Sequence, residues 1–225
     1  MRRRYEALLF DLDGTLIHSM PLHHDAWRQW HARHALPFDD AGFFEATAGR
    51  TNDEILRDLY PALDDAGRAA LAEEKEAIYR AEAARSLTLI DGALDVMERA
   101  SAAGTKLAIC TAAPPGNIRV AFERFGLDRL VGAVTSPADG LRGKPHPDIF
   151  AEAARRLGVP PAQCLVFEDA PLGIEAARRA GMAAVALTTT LPAAACASHP
   201  NLRHTMADFV GFDPDTLIPE ENAHA

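Results

Sequence analysis

Apolar positions along this 225-residue chain change their period twice. A short unbroken run, Ala7 to Phe10, predicts a buried core strand, and it stops abruptly at Asp11-Leu12-Asp13-Gly14. From Pro21 to Ala84 the pattern is helical throughout: Pro21 to His34, Ala41 to Thr47, Asn52 to Leu59 and Asp64 to Ala84, with caps or breakers at Asp39, Asn52, Pro61 and Asp64. From Ser86 onward strands alternate with helices. The strands are Lys106 to Cys110, Ala133 to Ser136, Cys164 to Phe167 and Ala183 to Leu187. The helices are Ala93 to Ala103, Gly116 to Phe125, Pro147 to Leu157 and Leu172 to Ala180, with Gly104, Gly126, Gly158 and Gly181 closing their C-terminal ends. Such alternation predicts an α/β fold, a parallel sheet with helices on both faces. The all-helical stretch, about 70 residues, far exceeds the dozen or so needed for a parallel crossover. It is therefore read as a small helical domain over residues 17–85, inserted into a core of residues 1–16 and 86–225. Beyond Pro192 the pattern is poorly informative, and Pro219 to Ala225 reads as a frayed end.

Composition narrows the class. Hydrophobic residues at 48% fit a globular protein able to bury a sizeable core. No run of eighteen apolar residues occurs, and Met1-Arg-Arg-Arg4 leads straight into the first strand, so the expectation is a cytoplasmic protein without a membrane partner. A net charge of -9 argues against a general nucleic-acid surface, which needs a basic stripe. Cys110, Cys164 and Cys196 are scattered without metal-site spacing and read as ordinary buried thiols. Only Lys75, Lys106 and Lys144 are lysines in a chain otherwise rich in arginine, so each invites a reason.

In an open parallel sheet, ligands bind beyond the carboxyl ends of the strands. Those ends carry Asp11 and Asp13 after the first strand, Thr111-Ala112-Ala113 after the second, and Glu168-Asp169 after Phe167. Between the last two lies Gly143-Lys144-Pro145-His146-Pro147-Asp148, a lysine in a Pro-rich loop before a helix. Two acids so close suggest a cation between them and a substrate, but Asp-x-Asp-Gly read alone is by default a strand followed by a solvated Asp-Gly turn. Four converging segments favour a site.

This ordered set resembles the haloacid dehalogenase superfamily: Asp-x-Asp-Gly-Thr, a strand-terminal Ser/Thr, a lysine, then paired acids. Lys-Pro-x-Pro-Asp-Ile-Phe at Lys144 to Phe150 and Glu-Asp-Ala-Pro-Leu-Gly-Ile-Glu-Ala-Ala at Glu168 to Ala177 are similar to its beta-phosphoglucomutase and sugar-phosphatase branch. The resemblance implies a Rossmann-like core with an inserted helical cap domain, and an Mg2+-dependent phosphatase of small phosphorylated metabolites such as sugar or polyol phosphates. It implies that Asp11 is the nucleophile and Asp13 the general acid and base, forming and hydrolysing an aspartyl-phosphate. It also implies Mg2+ ligands at Asp11, the Asp13 carbonyl and Asp169, with Glu168 near the shell. Lys144, the Thr111 hydroxyl and the Ala112 amide then hold the phosphate. Haloacid dehalogenases proper lack an acid at the second position, so Asp13 favours phosphoryl transfer over carbon-halogen cleavage.

On the helical insertion, His23 and Lys75 match a histidine and a lysine that approach the site in the mutase branch. A basic pair that holds the mutase's second phosphate is replaced here by Ala48 and Asn52, with Arg50 nearby, while His18 stands where the family usually has an acid. These departures weaken a phosphosugar mutase, the runner-up, and leave hydrolysis intact. Phosphonate cleavage needs a Schiff-base lysine near the substrate, and Lys75 is the sole lysine of the insertion. A catalytically inactive binding module on the same fold would have lost Asp11, Asp13, Lys144 or Asp169, and all four are present. The oligomeric state is not readable, and a monomer is compatible with the sequence.

Overall fold

The protein is described by a computed structural model covering residues 5–47, 51–217 and 219. Its chain divides into two compact units, Met1–His18 with Thr88–Ala225, and Ser19–Leu87.

The first unit is built on a six-stranded, wholly parallel sheet: β1 (Ala7–Phe10), β2 (Lys106–Cys110), β3 (Ala133–Thr135), β4 (Cys164–Glu168), β5 (Ala183–Leu187) and β6 (Leu202–Met206), in the spatial order β3-β2-β1-β4-β5-β6. β1 is central and buried along its whole length, as an apolar strand covered on both faces must be. Because successive side chains alternate faces, Ala7 and Leu9 join one core with Val166, Phe150, Ala153, Ile174 and Ala177. Leu8 and Phe10 point the other way, where Phe10 stacks on Phe167 at 4.7 Å and Phe209 packs against both rings.

Among the described residues of this unit, four α-helices stand in the sequence-predicted places, to within a residue or so: Ala93–Ala102, Pro115–Phe125, Asp148–Leu157 and Pro171–Arg179. β6 was not legible. Its sequence, Leu-Arg-His-Thr-Met, sits at a sheet edge and is half-buried, so it carries no apolar run, and tertiary pairing with β5 rather than local pattern makes it a strand. Lys106, at the start of β2, donates to the Leu157 carbonyl at 2.6 Å and so supplies a cation and a donor to the C-terminal end of Asp148–Leu157.

The second unit consists of α1 (Met20–Arg33), α2 (Gly42–Thr47), α3 (Asn52–Leu59) and α4 (Asp65–Ser86). Its interior is aromatic: Trp27 and Trp30 are buried and meet edge to face at 5.4 Å. No helix among the described residues is long and apolar enough to cross a membrane. The N-cap of α3 is Thr51 rather than Asn52. Its hydroxyl accepts from the Glu54 amide at 3.3 Å while the Glu54 carboxylate accepts from the Thr51 amide at 2.7 Å, a reciprocal capping box. Thr51→Ala removes one half of that exchange and should lower stability by about 1 kcal/mol, with Thr51→Ser close to the wild type, as read by urea denaturation.

Candidate active site

In the sheet order the chain runs outward from β1 to β3 on one side and from β4 to β6 on the other, so a crevice opens where β1 and β4 part direction. Asp11 leaves the end of β1 there, and its amide donates to the Phe167 carbonyl of β4 at 3.0 Å. Glu168 ends β4 and Asp169 follows it. The backbone beyond Asp11 turns at once: the amides of Leu16 and Ile17 both donate to the Leu12 carbonyl, and Gly14 adopts φ +75°. Glycine is required there for a second reason, since a Cβ would lie 2.2 Å from Asp169 Oδ2.

Carboxylate oxygens of Asp11, Glu168 and Asp169 lie within 4.8 Å of one another, and all three residues are buried. The ammonium of Lys144 forms ion pairs with Asp11 and with Glu168. The other Glu168 oxygen accepts from the amides of Asp169 and Ala170, both at 3.1 Å, so this carboxylate is gripped by main chain as well as by lysine. Burial, opposed by Lys144 and reinforced by Glu168, Asp169 and Asp13, holds the Asp11 carboxyl well above its ordinary range. Burial and the neighbouring Glu168 push Asp169 up to about 7. For Lys144 burial works against the charge, yet Asp11 and Glu168 outweigh it and raise its pKa. Three buried acids crowd one ammonium, and hard oxygen donors so close together fit a small divalent cation, whose charge would offset their burial and mutual repulsion.

The loop that presents Lys144 is closed by residues the sequence reading did not single out. Arg142 forks onto Asp148 with both contacts at 2.8 Å, and the Lys144 ammonium lies 5.3 Å from the Phe150 ring. The Thr135 hydroxyl donates to the Ile149 carbonyl at 2.9 Å, tying this helix start to the end of β3. Thr111 is buried beyond the end of β2, where its hydroxyl accepts from the Ala113 amide at 2.9 Å and keeps its own proton for a further acceptor. Ala112 beside it is exposed. Asp13 is half-buried and near enough for its charge to act on Asp11.

In the helical unit His23, Asn52 and Lys75 also come together, around a residue the sequence reading passed over. Lys75 is 2% exposed, and its ammonium lies 2.7 Å from His23 Nδ1 and 2.9 Å from Glu76 Oε1. Asn52 donates to the same Glu76 oxygen at 2.7 Å, and the His23 ring stacks on Tyr79 at 3.9 Å. A buried lysine needs an anion, so an acid within reach was the signal for Glu76. Ala48 and Arg50 lie outside the described residues.

Gly173 sits in the helix Pro171–Arg179 against the Glu168 carboxyl, where a Cβ would come within 1.9 Å of it. Gly173→Ala should therefore cost about 1–3 kcal/mol by overpacking and displace Glu168 from Lys144. Thermal denaturation reads the first effect, and a crystal structure of the variant reads the second.

Comparison with known proteins identifies the family. The sequence model of the haloacid dehalogenase-like hydrolase family matches residues 5–181. The chain is 34% identical to validoxylamine A 7'-phosphate phosphatase of Streptomyces hygroscopicus subsp. limoneus, over 86% of this chain and 90% of that one. It is likewise 34% identical to fructose-1-phosphate phosphatase of Escherichia coli, over 82% and 97%. Among solved structures, a haloacid dehalogenase family IA, variant 3 hydrolase from Entamoeba histolytica superposes with a TM-score of 0.86 at 28% identity, covering 92% of this chain and 95% of its own. With a family match over most of its length and phosphatases among its relatives, the chain belongs to the haloacid dehalogenase-like hydrolases and is a phosphoric monoester hydrolase.

Proposed function

We propose that the protein is an Mg2+-dependent phosphatase of small phosphorylated metabolites, sugar or polyol phosphates above all, acting in the cytoplasm through an aspartyl-phosphate. The observation that carries this reading is the convergence of Asp11, Lys144, Glu168 and Asp169 on one buried crevice. A phosphate ester dianion is repelled by carboxylates, so the residues that receive it must be offset by positive charge. Asp11, the Asp13 carbonyl and Asp169, with Glu168 beside them, would hold Mg2+, which when bound would supply that charge and polarise the phosphoryl oxygens. Lys144 adds a second cation, and the Thr111 hydroxyl and Ala112 amide orient the phosphoryl group.

An Asp11 carboxylate oxygen attacks phosphorus as the bond to the leaving alcohol oxygen breaks. The Asp13 carboxyl gives its proton to that oxygen, then takes one from the water that attacks the aspartyl-phosphate, which releases inorganic phosphate and regenerates Asp11. The helical unit serves as the cap, and His23, Lys75, Asn52 and Arg50 select the substrate. The relatives named above are, by name, phosphatases of validoxylamine A 7'-phosphate and of fructose-1-phosphate, which supports a small phosphorylated metabolite here.

Phosphate release from a chromogenic phosphate ester should need Mg2+, stop on chelation and proceed without any sugar bisphosphate. Dependence on a bisphosphate primer would indicate a mutase instead. Asp11→Asn should lower the rate at least about 1,000-fold with an unchanged circular dichroism spectrum.

Protons and metal compete for the same carboxylates, which gives a pH test. Asp169 is raised to about 7, so its protonated form stabilises the metal-free fold, a contribution complete below the ordinary carboxylate value and lost as pH rises through 7. The increase in Tm on adding Mg2+ should accordingly be larger at pH 8 than at pH 5.5, as thermal shift at fixed ionic strength will show.

A further inference from the structure

Three threonines in a row, Thr188 to Thr190, follow β5, and the reaction described above uses none of them. Thr188 is spent on the sheet, its amide donating to the Met206 carbonyl at 2.9 Å. The other two turn toward the crevice. The Thr189 hydroxyl donates to the carbonyl of Gly14, the glycine of the turn that carries Asp11 and Asp13. Thr190 Oγ1 is buried beside the Asp169 carboxylate: the point where a Gly14 Cβ would stand is 2.2 Å from Asp169 Oδ2 and 2.6 Å from Thr190 Oγ1. Among the described residues no protein group meets this hydroxyl in full hydrogen-bond geometry. A buried hydroxyl without a well-aligned partner is costly unless some state of the protein aligns it.

We propose that Thr189 and Thr190 are positioning residues forming a two-hydroxyl clamp, in which Thr189 fixes the Gly14 turn and Thr190 aims the Asp169 carboxylate at the metal. The clamp rests on the Mg2+ reading above. Its physical basis is that a ligating carboxylate has a second oxygen to be held, and a donor on that oxygen sets the angle at which the first meets the cation. Threonine suits the place because its branched side chain has few rotamers once packed, so its hydroxyl points in a defined direction.

The test is Mg2+ binding to the substrate-free protein, read by calorimetry and by the dependence of Tm on Mg2+ concentration. Thr190→Val keeps the shape and removes the donor. It should weaken the apparent Mg2+ dissociation constant by about 10-fold or more, while Thr190→Ser, which keeps the hydroxyl, should stay within about threefold of the wild type. The Mg2+ concentration giving half-maximal activity should move in parallel. Should Thr190→Val not fold, Thr190→Ala and Thr189→Val carry the same expectation. Binding by Thr190→Val within about twofold of the wild type, or a serine variant as weak as the valine one, overturns the clamp and leaves the Mg2+ reading standing. A wild type that does not respond to Mg2+ overturns both.

Discussion

The ammonium of Lys144, held between Asp11 and Glu168 in a buried crevice, is the contact on which the arrangement of this site depends. Removing one partner from such a cluster leaves uncompensated buried charge, which costs far more than the pair contributes. Several features that look unrelated in the chain serve it. Arg142 and Asp148 close the loop that brings the lysine in, Gly173 leaves room for the Glu168 carboxyl, and the amides of Asp169 and Ala170 take its second oxygen. The sheet contributes the framework: β1 and β4 are neighbours in register, so acids that lie more than 150 residues apart in sequence are delivered side by side.

A second buried lysine follows the same rule in the helical unit. Lys75 is enclosed by Trp27, Tyr79, His23 and Glu76. An ion pair so enclosed is a poor source of stability compared with apolar packing. The third lysine, Lys106, has a different use at a helix end. Each of the three lysines is thus set in its own surroundings: an acidic crevice, an aromatic-lined ion pair and a helix end.

The sheet and its flanking helices were legible because central parallel strands are unbroken apolar runs and the helices between them are amphipathic and end in glycine. The site acids and Lys144 were legible because they stand at strand ends or in a Pro-rich loop, where position limits what a side chain can do. What was not legible had no local signature. Leu202 to Met206 is a strand only through its pairing with Ala183–Leu187, and the α3 cap fell one residue from Asn52 because Thr51 and Glu54 act as a pair. Glu76, Arg142 and Thr190 are ordinary surface-type residues in sequence, and only their partners in space set them apart. Asp13 and Thr111 lie between these cases: their positions were readable, while the hydrogen bond from Ala113 that leaves the Thr111 proton available was not.

The chain leaves the unit that carries the sheet after His18 and returns at Thr88, and these two residues are joined by a hydrogen bond of 2.8 Å, with Leu16 and Ile90 joined by another of 2.9 Å. The stem of the insertion is therefore closed within the sheet-bearing unit itself. Loop-closure entropy grows only logarithmically with the length enclosed, and a stem already paired fixes the ends whatever lies between them. Evolution can in consequence lengthen, shorten or replace the helical unit at little cost to the sheet, so the two units are free to diverge at different rates.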